Sequence, residues 1–421
     1  MSWTLWHSDE VDPRWFLRGL QIGDAEVSVR RLPPSDAASP RDFHRLPTHI
    51  KNILYLDCPD IIVEWGNSPV LAIEISEEAG TGHNAFQRFG RIVAAAEAGV
   101  PVLYVYPEHV WVQRMAGGRW DTLNPLLCVA MEEVSRVHGI PVLLYRYPTH
   151  RDPSRPGAAP PPGTGKGLRK GTDGMPDPHD PEIREMFTFS QAVLSVARSD
   201  GRAALARLIH HPLARDRRNL MAAMVPHRVR QAATRGTGAT APSPLSSCTA
   251  VKTADVLQLL RHLANLPSDH DFGVLATREH TVIYHPDADP RPDPYAGALA
   301  ALDYLRCRAG PTYEDRHTNL AIAWGKVSLH GGGLTIGRPP SRNVARNRSI
   351  EKFLQPVREL YTDSSRVLLG KQYRELHPHE IPRYFMQLRF GTTFTKTKLV
   401  RMLAHLCDAV IFWDGALWRE G

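Results

Sequence analysis

The stretch Cys58–Pro107, CPDIIVEWGNSPVLAIEISEEAGTGHNAFQRFGRIVAAAEAGVPVLYVYP, decides the fold that this chain is expected to adopt. Ile61–Trp65 is short and rich in β-branched residues, which predicts a strand. Val70–Ser76 is a second apolar run and predicts another strand, and the turn-forming residues Gly66–Pro69 separate the two. The stretch therefore begins with a predicted β-hairpin.

A helix and a buried strand are predicted after the hairpin. Phe86, Phe89, Val93 and Ala96 recur at helical spacing, and Gly99 is placed to end that helix. The apolar run that follows is typical of a strand covered on both faces of a sheet, and PVLLYRYP further on predicts one more strand. A helix between strands indicates a crossover, so the predicted fold class is α/β with a mixed sheet flanked by helices.

Two carboxylates stand out within this pattern. Asp60 follows a proline at the head of the first strand, and Glu74 lies inside the otherwise apolar second strand. A charge buried in a strand is costly unless it is paired or binds a metal. Glu74 and Ser76 are two residues apart, so a strand points both side chains to the same face.

The pattern resembles the core of the PD-(D/E)XK nuclease superfamily, the restriction-endonuclease-like fold. Pro59-Asp60, thirteen intervening residues, Glu74-Ile75-Ser76 and then a polar-faced helix carry the resemblance, which covers about 50 of 421 residues. It implies that Asp60 and Glu74 hold Mg²⁺, with Mn²⁺ as a substitute, for phosphodiester hydrolysis. Mg²⁺ prefers oxygen ligands and needs only one or two carboxylates from the protein.

The chain departs from that family at one position, because Ser76 stands where the family usually has lysine. A serine cannot supply the positive charge of the lysine, so a cation must come from elsewhere if the site is catalytic. The nearest candidates in sequence are Arg88 and Arg91 on the following helix and Lys51 upstream. Asn84 and Gln87 share the helix face with these arginines, and Gln87 is expected to contact the phosphate or the water. The predicted catalytic set is Asp60, Glu74, Ser76, Gln87 and Arg88.

Other interpretations of these acidic residues stay open at this stage. Asp60 after proline is also typical of a turn or cap residue, and Glu74 of an exposed edge strand. Glu64 shares strand parity with Asp60 and is an alternative partner for it. Glu77 is a candidate outer ligand.

Two segments rich in proline and glycine divide the chain. The sequence predicts a nuclease-like domain over residues 1–149, a mobile linker or long loop over 150–181 and a helical connector over 182–233. A basic α+β domain is predicted over 250–421, with a helix from Thr253 and a hairpin over Phe272–Pro286.

Positive charge is concentrated in the last domain. The chain carries a net charge of +7, and residues 338–401 alone hold fourteen Lys/Arg against five Asp/Glu. Such a concentration is typical of a phosphate-binding surface, although a solvated basic face has the same composition. The predicted partners are nucleic acid, above all double-stranded DNA, and a second copy of the chain. The predicted nucleic-acid contacts are Arg91, Arg342, Arg346, Arg348, Lys396, Lys398 and Arg401.

The cysteines and the hydropathy pattern bear on the compartment. The five cysteines have no CxxC spacing, which supports neither a disulfide framework nor a structural zinc site. No apolar run has the length of a membrane span, and the first residues lack the order of a secretory signal. A cytoplasmic protein without a membrane partner is expected.

The favoured hypothesis is a Mg²⁺-dependent endodeoxyribonuclease of the restriction or defence type. A second hypothesis is a catalytically inactive nucleic-acid-binding protein on a nuclease-like scaffold, because the motif lysine is missing. A third is a protein-interaction module of a defence complex, which would neither cut nor bind nucleic acid.

Overall fold

The computed structural model describes residues 2–21, 27–32, 46–54, 58–78, 83–114, 117–123, 125–226, 248–284, 317–330, 333–338, 349–350 and 407–418. The chain forms two compact units. The first comprises Met1–Pro34 and Asp42–Arg230, and the second comprises Ser35–Arg41 and Gln231–Gly421.

A mixed sheet is the centre of the first unit. Its strands are β1 (Trp3–His7), β2 (Val27–Arg31), β3 (Ile61–Trp65), β4 (Ser68–Ile75), β5 (Val102–Pro107) and β8 (Val142–Tyr147). They are ordered β2-β1-β3-β4-β5-β8. β1 is antiparallel to β3 and β3 to β4, whereas the pairs β1–β2, β4–β5 and β5–β8 are parallel. A separate hairpin consists of β6 (Val110–Arg114) and β7 (Gly117–Asp121).

The predicted hairpin and crossover are both present. Gly66 and Asn67 have φ angles of 54° and 66°. Positive φ at both central residues is the property of the two-residue turn whose twist matches that of paired strands. The chain then returns through a helix to β5, which lies parallel to β4. Gly99, with φ of 72°, ends that helix as predicted.

Helices cover the sheet of the first unit. They are α1 (Val11–Leu20), α2 (Thr48–Leu54), α3 (His83–Glu97), α4 (Pro125–His138), α5 (Pro181–Ser199) and α6 (Pro212–Ala223), with a 3₁₀ helix over Arg202–His210. Trp15 of α1, Phe187 of α5 and alternate residues of the central strands such as Ile61 and Ile73 form one buried cluster. Burial of such large apolar side chains is the main source of stability for this layer.

The segment predicted as a mobile linker or long loop is a long loop, and it packs against the first unit. Met175 is buried in the core, and the indole Nε1 of Trp15 donates to the carbonyl oxygen of Pro176 at 2.8 Å. A bridge between Thr149 and Leu168 joins the segment to the end of β8. Proline and glycine exclude regular elements here, yet they leave tight turns and single apolar anchors available. We call residues 150–180 the strap.

The predicted domain limits change accordingly. α5 and α6 belong to the first unit rather than to a connector, because Ile183, Met186 and Phe189 of α5 lie in its core. The boundary after residue 149 is therefore replaced by one after Arg230. The sequence predicts helical structure over residues 182–223. It does not indicate which part of the fold these helices pack against.

The second unit contains its own mixed sheet. Its described elements are β9 (Cys248–Lys252), α7 (Thr253–Ala264), a 3₁₀ helix (Gly273–Thr277), β10 (His280–Tyr284), β11 (Asn319–Trp324), β12 (Lys326–His330), β13 (Gly333–Gly337), β14 (Ala409–Phe412) and β15 (Gly415–Trp418). The main sheet has the order β15-β14-β11-β10-β9. The helix from Thr253 is confirmed. Phe272–Pro286 is not a hairpin, since β10 pairs with β9 and β11.

The first unit has the predicted α/β class, with a mixed sheet flanked by helices. The second unit, predicted as α+β, also contains a mixed sheet. Among the described residues, no helix combines the length and the apolar character that crossing a membrane requires.

Candidate metal and catalytic site

Asp60 and Glu74 are neighbours across the β3–β4 hairpin. Ile61 pairs with Ile73, so the same register continued by one residue sets Asp60 opposite Glu74. Ser8 extends this row at the end of β1, where its amide N donates to the carbonyl oxygen of Asp60 at 2.9 Å. Two like charges directly opposite each other destabilise a sheet unless a cation lies between them.

Arg91 provides that cation from α3. Its Nη1 lies 2.7 Å from Oε1 of Glu74 and 3.6 Å from Oδ1 of Asp60. Glu74 is fully buried, and the side chains of Arg91 and Asp60 are only 13% and 16% exposed. A buried ion pair recovers the cost of desolvation only when its charges are well paired. The two carboxylates therefore converge on one positive charge.

The carboxylate of Asp60 is held in place by the strands on both sides of it. Its Oδ2 accepts from the amide N of Ile75 at 2.7 Å, and its Oδ1 accepts from Oγ of Ser8 at 3.2 Å. These bonds come from β4 and from the end of β1, so the packing of the sheet orients the side chain. The interpretation of Asp60 as an isolated turn residue does not describe this arrangement.

Asp12 in the first turn of α1 is a third carboxyl group in this neighbourhood. Burial, and then the charges of Asp60, Asp9 and Glu74, raise its pKa to about 8, while Lys170 acts to lower it. Sequence analysis missed Asp12. The pattern of Trp3–Leu20 indicates a strand followed by the helix α1. The approach of that helix to Asp60 depends on tertiary packing, which the pattern does not show.

Two lysines of the strap lie beside the loop that follows β4. Lys170 forms an ion pair with Glu77, and Nζ of Lys166 lies 3.3 Å from Oε1 of Glu78. Lys170 also acts on the pKa of Asp12, as described above. A lysine distant in sequence therefore brings positive charge to the loop that follows Ser76. Sequence analysis did not identify Lys170, because a segment predicted as a mobile linker or long loop was not expected to contact the site.

Ser76 has a local role in the structure. It is buried, and its Oγ donates to the carbonyl oxygen of Glu78 at 2.9 Å and accepts from the amide N of Glu78 at 3.0 Å. The hydroxyl of Tyr147 donates to the carbonyl oxygen of Ser76 at 2.7 Å. These contacts shape the turn after β4. We assign Ser76 to that turn rather than to the carboxylate row.

Glu64, the alternative partner of Asp60, has other partners. Its Oε2 accepts from Nε1 of Trp6, and its Oε1 lies 2.6 Å from Nε2 of His49 on α2. A β-bulge between Val63 and Glu64 changes the register at this point. The extra residue at this bulge belongs to β4, so Glu64 keeps the strand parity with Asp60 that the sequence predicts. Four residues of strand, roughly 13 Å, separate the two side chains, and Glu64 contacts Trp6 and His49 instead.

The remaining predicted site residues divide into three groups. Asn84, Gln87 and Arg88 lie on the helical backbone of α3, but their side chains are outside the described part of the structure. Arg91, which the sequence also offered as a candidate cation, contacts the carboxylates of Glu74 and Asp60. Its predicted contact with nucleic acid stays a prediction. The basic set of the second unit lies outside the described residues and comprises Arg342, Arg346, Arg348, Lys396, Lys398 and Arg401.

The donor set suits a hard cation with few protein ligands. Within the described residues, no group of three or more His, Cys, Asp and Glu side chains is arranged to hold a metal ion. Two carboxylates that converge on one point are nevertheless sufficient for Mg²⁺, which keeps much of its water shell. Asp60 and Glu74 therefore fit Mg²⁺ better than Zn²⁺, which prefers nitrogen and sulfur ligands.

An open groove of about 560 Å³ lies between α1 and β2. It is lined by residues of β1, α1 and β2 and of the turn between β1 and α1, among them His7, Glu10, Arg14, Val29 and Arg31. His7 directly precedes Ser8, whose hydroxyl bonds to Asp60. Because neighbouring residues of a strand point to opposite faces, the groove lies on the other side of the sheet from the side chains of Ser8 and Asp60.

Comparisons of this chain with protein-family models, with curated proteins and with solved structures found no match.

Proposed function

We propose that the first unit is a metal-dependent nuclease with a restriction-endonuclease-like core, which hydrolyses phosphodiester bonds in double-stranded DNA. The observation that carries the proposal is the convergence of Asp60 and Glu74 on a single cation at adjacent positions of two strands. A buried carboxylate pair of this kind has a cost in stability, and a catalytic metal site is a function that would retain it.

Asp60 and Glu74 would hold Mg²⁺, or Mn²⁺ in its place, through one oxygen or more from each. The bound ion would polarise the scissile phosphate and activate a water. Ser8 and the amide of Ile75 orient Asp60 for this role, and the strands around Glu74 exclude water from it. Arg91 would compete with the ion for the same oxygens, so ion binding is expected to move its guanidinium toward the phosphate.

A second candidate function is supported by the same arginine. Because Arg91 already neutralises both carboxylates and Ser76 replaces lysine, the scaffold is also compatible with an inactive nucleic-acid-binding protein. Such a protein would bind DNA without cutting it in either Mg²⁺ or Mn²⁺. The two candidates agree on the partner and differ only in whether a metal ion displaces Arg91.

The proposal is tested by plasmid cleavage with the full chain. Glu74→Gln removes the charge of a ligand while keeping its shape, and it is expected to abolish cutting in Mg²⁺ and Mn²⁺. Glu64→Gln is the matched control, since Glu64 is another buried glutamate of the same hairpin with partners of its own. It is expected to cut at the parental rate.

Cutting by Glu74→Gln at the parental rate would reject the metal-site assignment. Binding of DNA without any cutting by the parent protein in either ion would favour the inactive scaffold instead. A preparation that neither binds nor cuts would favour the protein-interaction module.

A further inference from the structure

A cavity of about 200 Å³ lies in the first unit, where the last turns of α6 pack against β8. Its walls are mostly apolar and include Leu144 of β8, Leu220 and Met221 of α6, and Met224 directly after that helix. An apolar cavity of about 150 Å³ is enough to hold benzene. This cavity therefore accommodates a single small ring or a short aliphatic chain.

The hydroxyl of Tyr106 is an unsatisfied polar group at this cavity. Tyr106 lines the cavity from the end of β5 and is only 1% exposed. Within the described part of the chain its hydroxyl has no hydrogen-bond partner. Burial raises the pKa of this hydroxyl well above its ordinary value, so the group stays protonated and can donate. A buried donor without an acceptor lowers stability, and a bound acceptor would remove that cost.

Arg146 places a second donor beside Tyr106. The two residues are paired across β5 and β8, and the charge of Arg146 acts to lower the pKa of the Tyr106 hydroxyl. Nε and Nη2 of Arg146 donate to Oε1 of Glu182 at 3.0 and 2.6 Å. Its Nη1 makes no hydrogen bond to any described residue, and the side chain is 37% exposed. The N–H groups of Nη1 are therefore available to a ligand.

The ionised groups around the cavity balance one another. Arg146 pairs with Glu182, and Arg217, which also lines the cavity, pairs with Glu182 and Glu185. Two arginines thus face two glutamates, so an anionic ligand would add an uncompensated charge to a mostly apolar site. Both available groups are donors, and a carbonyl oxygen accepts two hydrogen bonds through its two lone pairs. The ligand that matches is a small neutral molecule with an apolar body and one carbonyl group.

We propose that this cavity binds a small neutral carbonyl compound, whose oxygen accepts from the hydroxyl of Tyr106 and from Nη1 of Arg146. The apolar body of the ligand packs against Leu144 and Met221. Methionine suits such a wall because its flexible, polarisable side chain adapts to the shape of a ligand. The inference is independent of the nuclease proposal, since neither Asp60 nor Glu74 lines the cavity.

The test measures the affinity of the full chain for acetophenone and for ethylbenzene by ligand-observed NMR titration in EDTA. The two probes have nearly the same shape, and only acetophenone has a carbonyl oxygen. Acetophenone is expected to bind the parent with a Kd on the order of 1 mM. The ratio of the two affinities, compared between parent and variant, isolates the contribution of the carbonyl group.

Tyr106→Phe removes the hydroxyl and keeps the ring. It is expected to weaken acetophenone binding roughly threefold to tenfold, and to leave ethylbenzene binding within about twofold of the parent. Tyr145→Phe is the matched control, because Tyr145 is also buried, its hydroxyl has no partner in the described residues, and it does not line the cavity. This control is expected to bind both probes like the parent.

Three results would overturn the proposal. The first is a parent protein that shows no saturable binding of acetophenone, which would leave the hydroxyl to water. The second is an equal effect of Tyr106→Phe and Tyr145→Phe on acetophenone binding. The third is an equal loss of both probes in Tyr106→Phe, which would show that the carbonyl group is not recognised. Thermal unfolding checks that each variant folds.

Discussion

Arg91 determines the electrostatic balance of the site at the scale of single residues. Asp60 and Glu74 are adjacent, and the guanidinium is paired with both of them. Removing one partner of a buried ion pair leaves an uncompensated charge in the protein interior. The resulting loss in the free energy of unfolding is much larger than that from breaking an exposed ion pair. The same removal makes the carboxylates accessible to a metal ion.

We expect Arg91→Met to destabilise the protein by about 3 kcal/mol in EDTA. Millimolar Mg²⁺ should restore part of this loss, because an ion that binds only the folded state stabilises it. Urea unfolding with and without Mg²⁺ measures both effects. Arg136→Met, which removes an exposed arginine paired with Glu133, is the control and should cost less than about 1 kcal/mol. A variant that is destabilised but gains nothing from Mg²⁺ would contradict the metal site.

The raised pKa of Asp12 makes the stability of the folded protein depend on pH in a definite direction. Its pKa is raised to about 8 in the folded protein, from an ordinary value of 3.8. Between these values the folded state keeps a proton that the unfolded chain releases. The contribution of Asp12 to stability therefore becomes less favourable as the pH rises from about 4 toward 8.

Asp12→Asn should remove this penalty, since asparagine resembles the protonated carboxyl. In EDTA the variant is expected to gain stability over the parent by up to about 1.4 kcal/mol for each pH unit across that interval. Urea unfolding at pH 5 and pH 8 provides the comparison. An advantage of the variant that is equal at both pH values would show that Asp12 is ionised throughout.

The strap is the element that differs most from its prediction. It lacks helices and strands, yet Met175 enters the core and Lys170 reaches the loop after β4. Its composition correctly excluded regular structure. It did not exclude packing, because a few apolar anchors and turn hydrogen bonds are enough to attach a loop to a sheet already formed.

Met175→Ala measures how firmly the strap is attached. Loss of a buried methionine is expected to destabilise the first unit by about 2–3 kcal/mol, as measured by urea unfolding. Arg155→Ala in an exposed part of the strap should change stability by less than about 0.5 kcal/mol. Equal and negligible effects of both changes would restore the interpretation of the segment as a linker.

Lys170 tests whether the strap also takes part in the chemistry. If Lys170 supplies the positive charge absent at Ser76, Lys170→Ala should lower the cleavage rate roughly 100-fold, whereas Lys170→Arg should keep most of it. Lys166→Ala is the control, because Lys166 pairs with Glu78 in the same loop. Single-turnover cleavage in Mg²⁺ provides the rates. Cleavage by Lys170→Ala within twofold of the parent would leave Arg91 as the candidate cation.

At the scale of the whole molecule, the local elements of the first unit were predictable from sequence. The hairpin, the helix after it and the buried strands follow from the alternation of apolar residues and from Gly66-Asn67, whose preference is local. The two-residue turn sets Trp65 opposite Ser68, and this register continued unbroken would place Asp60 opposite Ile73. The bulge between Val63 and Glu64 shifts the register by one residue, so the pairing of Asp60 with Glu74 was not encoded in the turn alone.

The tertiary structure alone decided which distant groups join that pair. Arg91 could be placed on a helix face from sequence, but whether it binds phosphate or carboxylate depends on how α3 packs on β4. Asp12 and Lys170 are separated from Glu74 by 62 and 96 residues, and no local pattern records their approach. Local propensity reflects the conformational preference of each segment, whereas the meeting of segments depends on burial summed over the whole core.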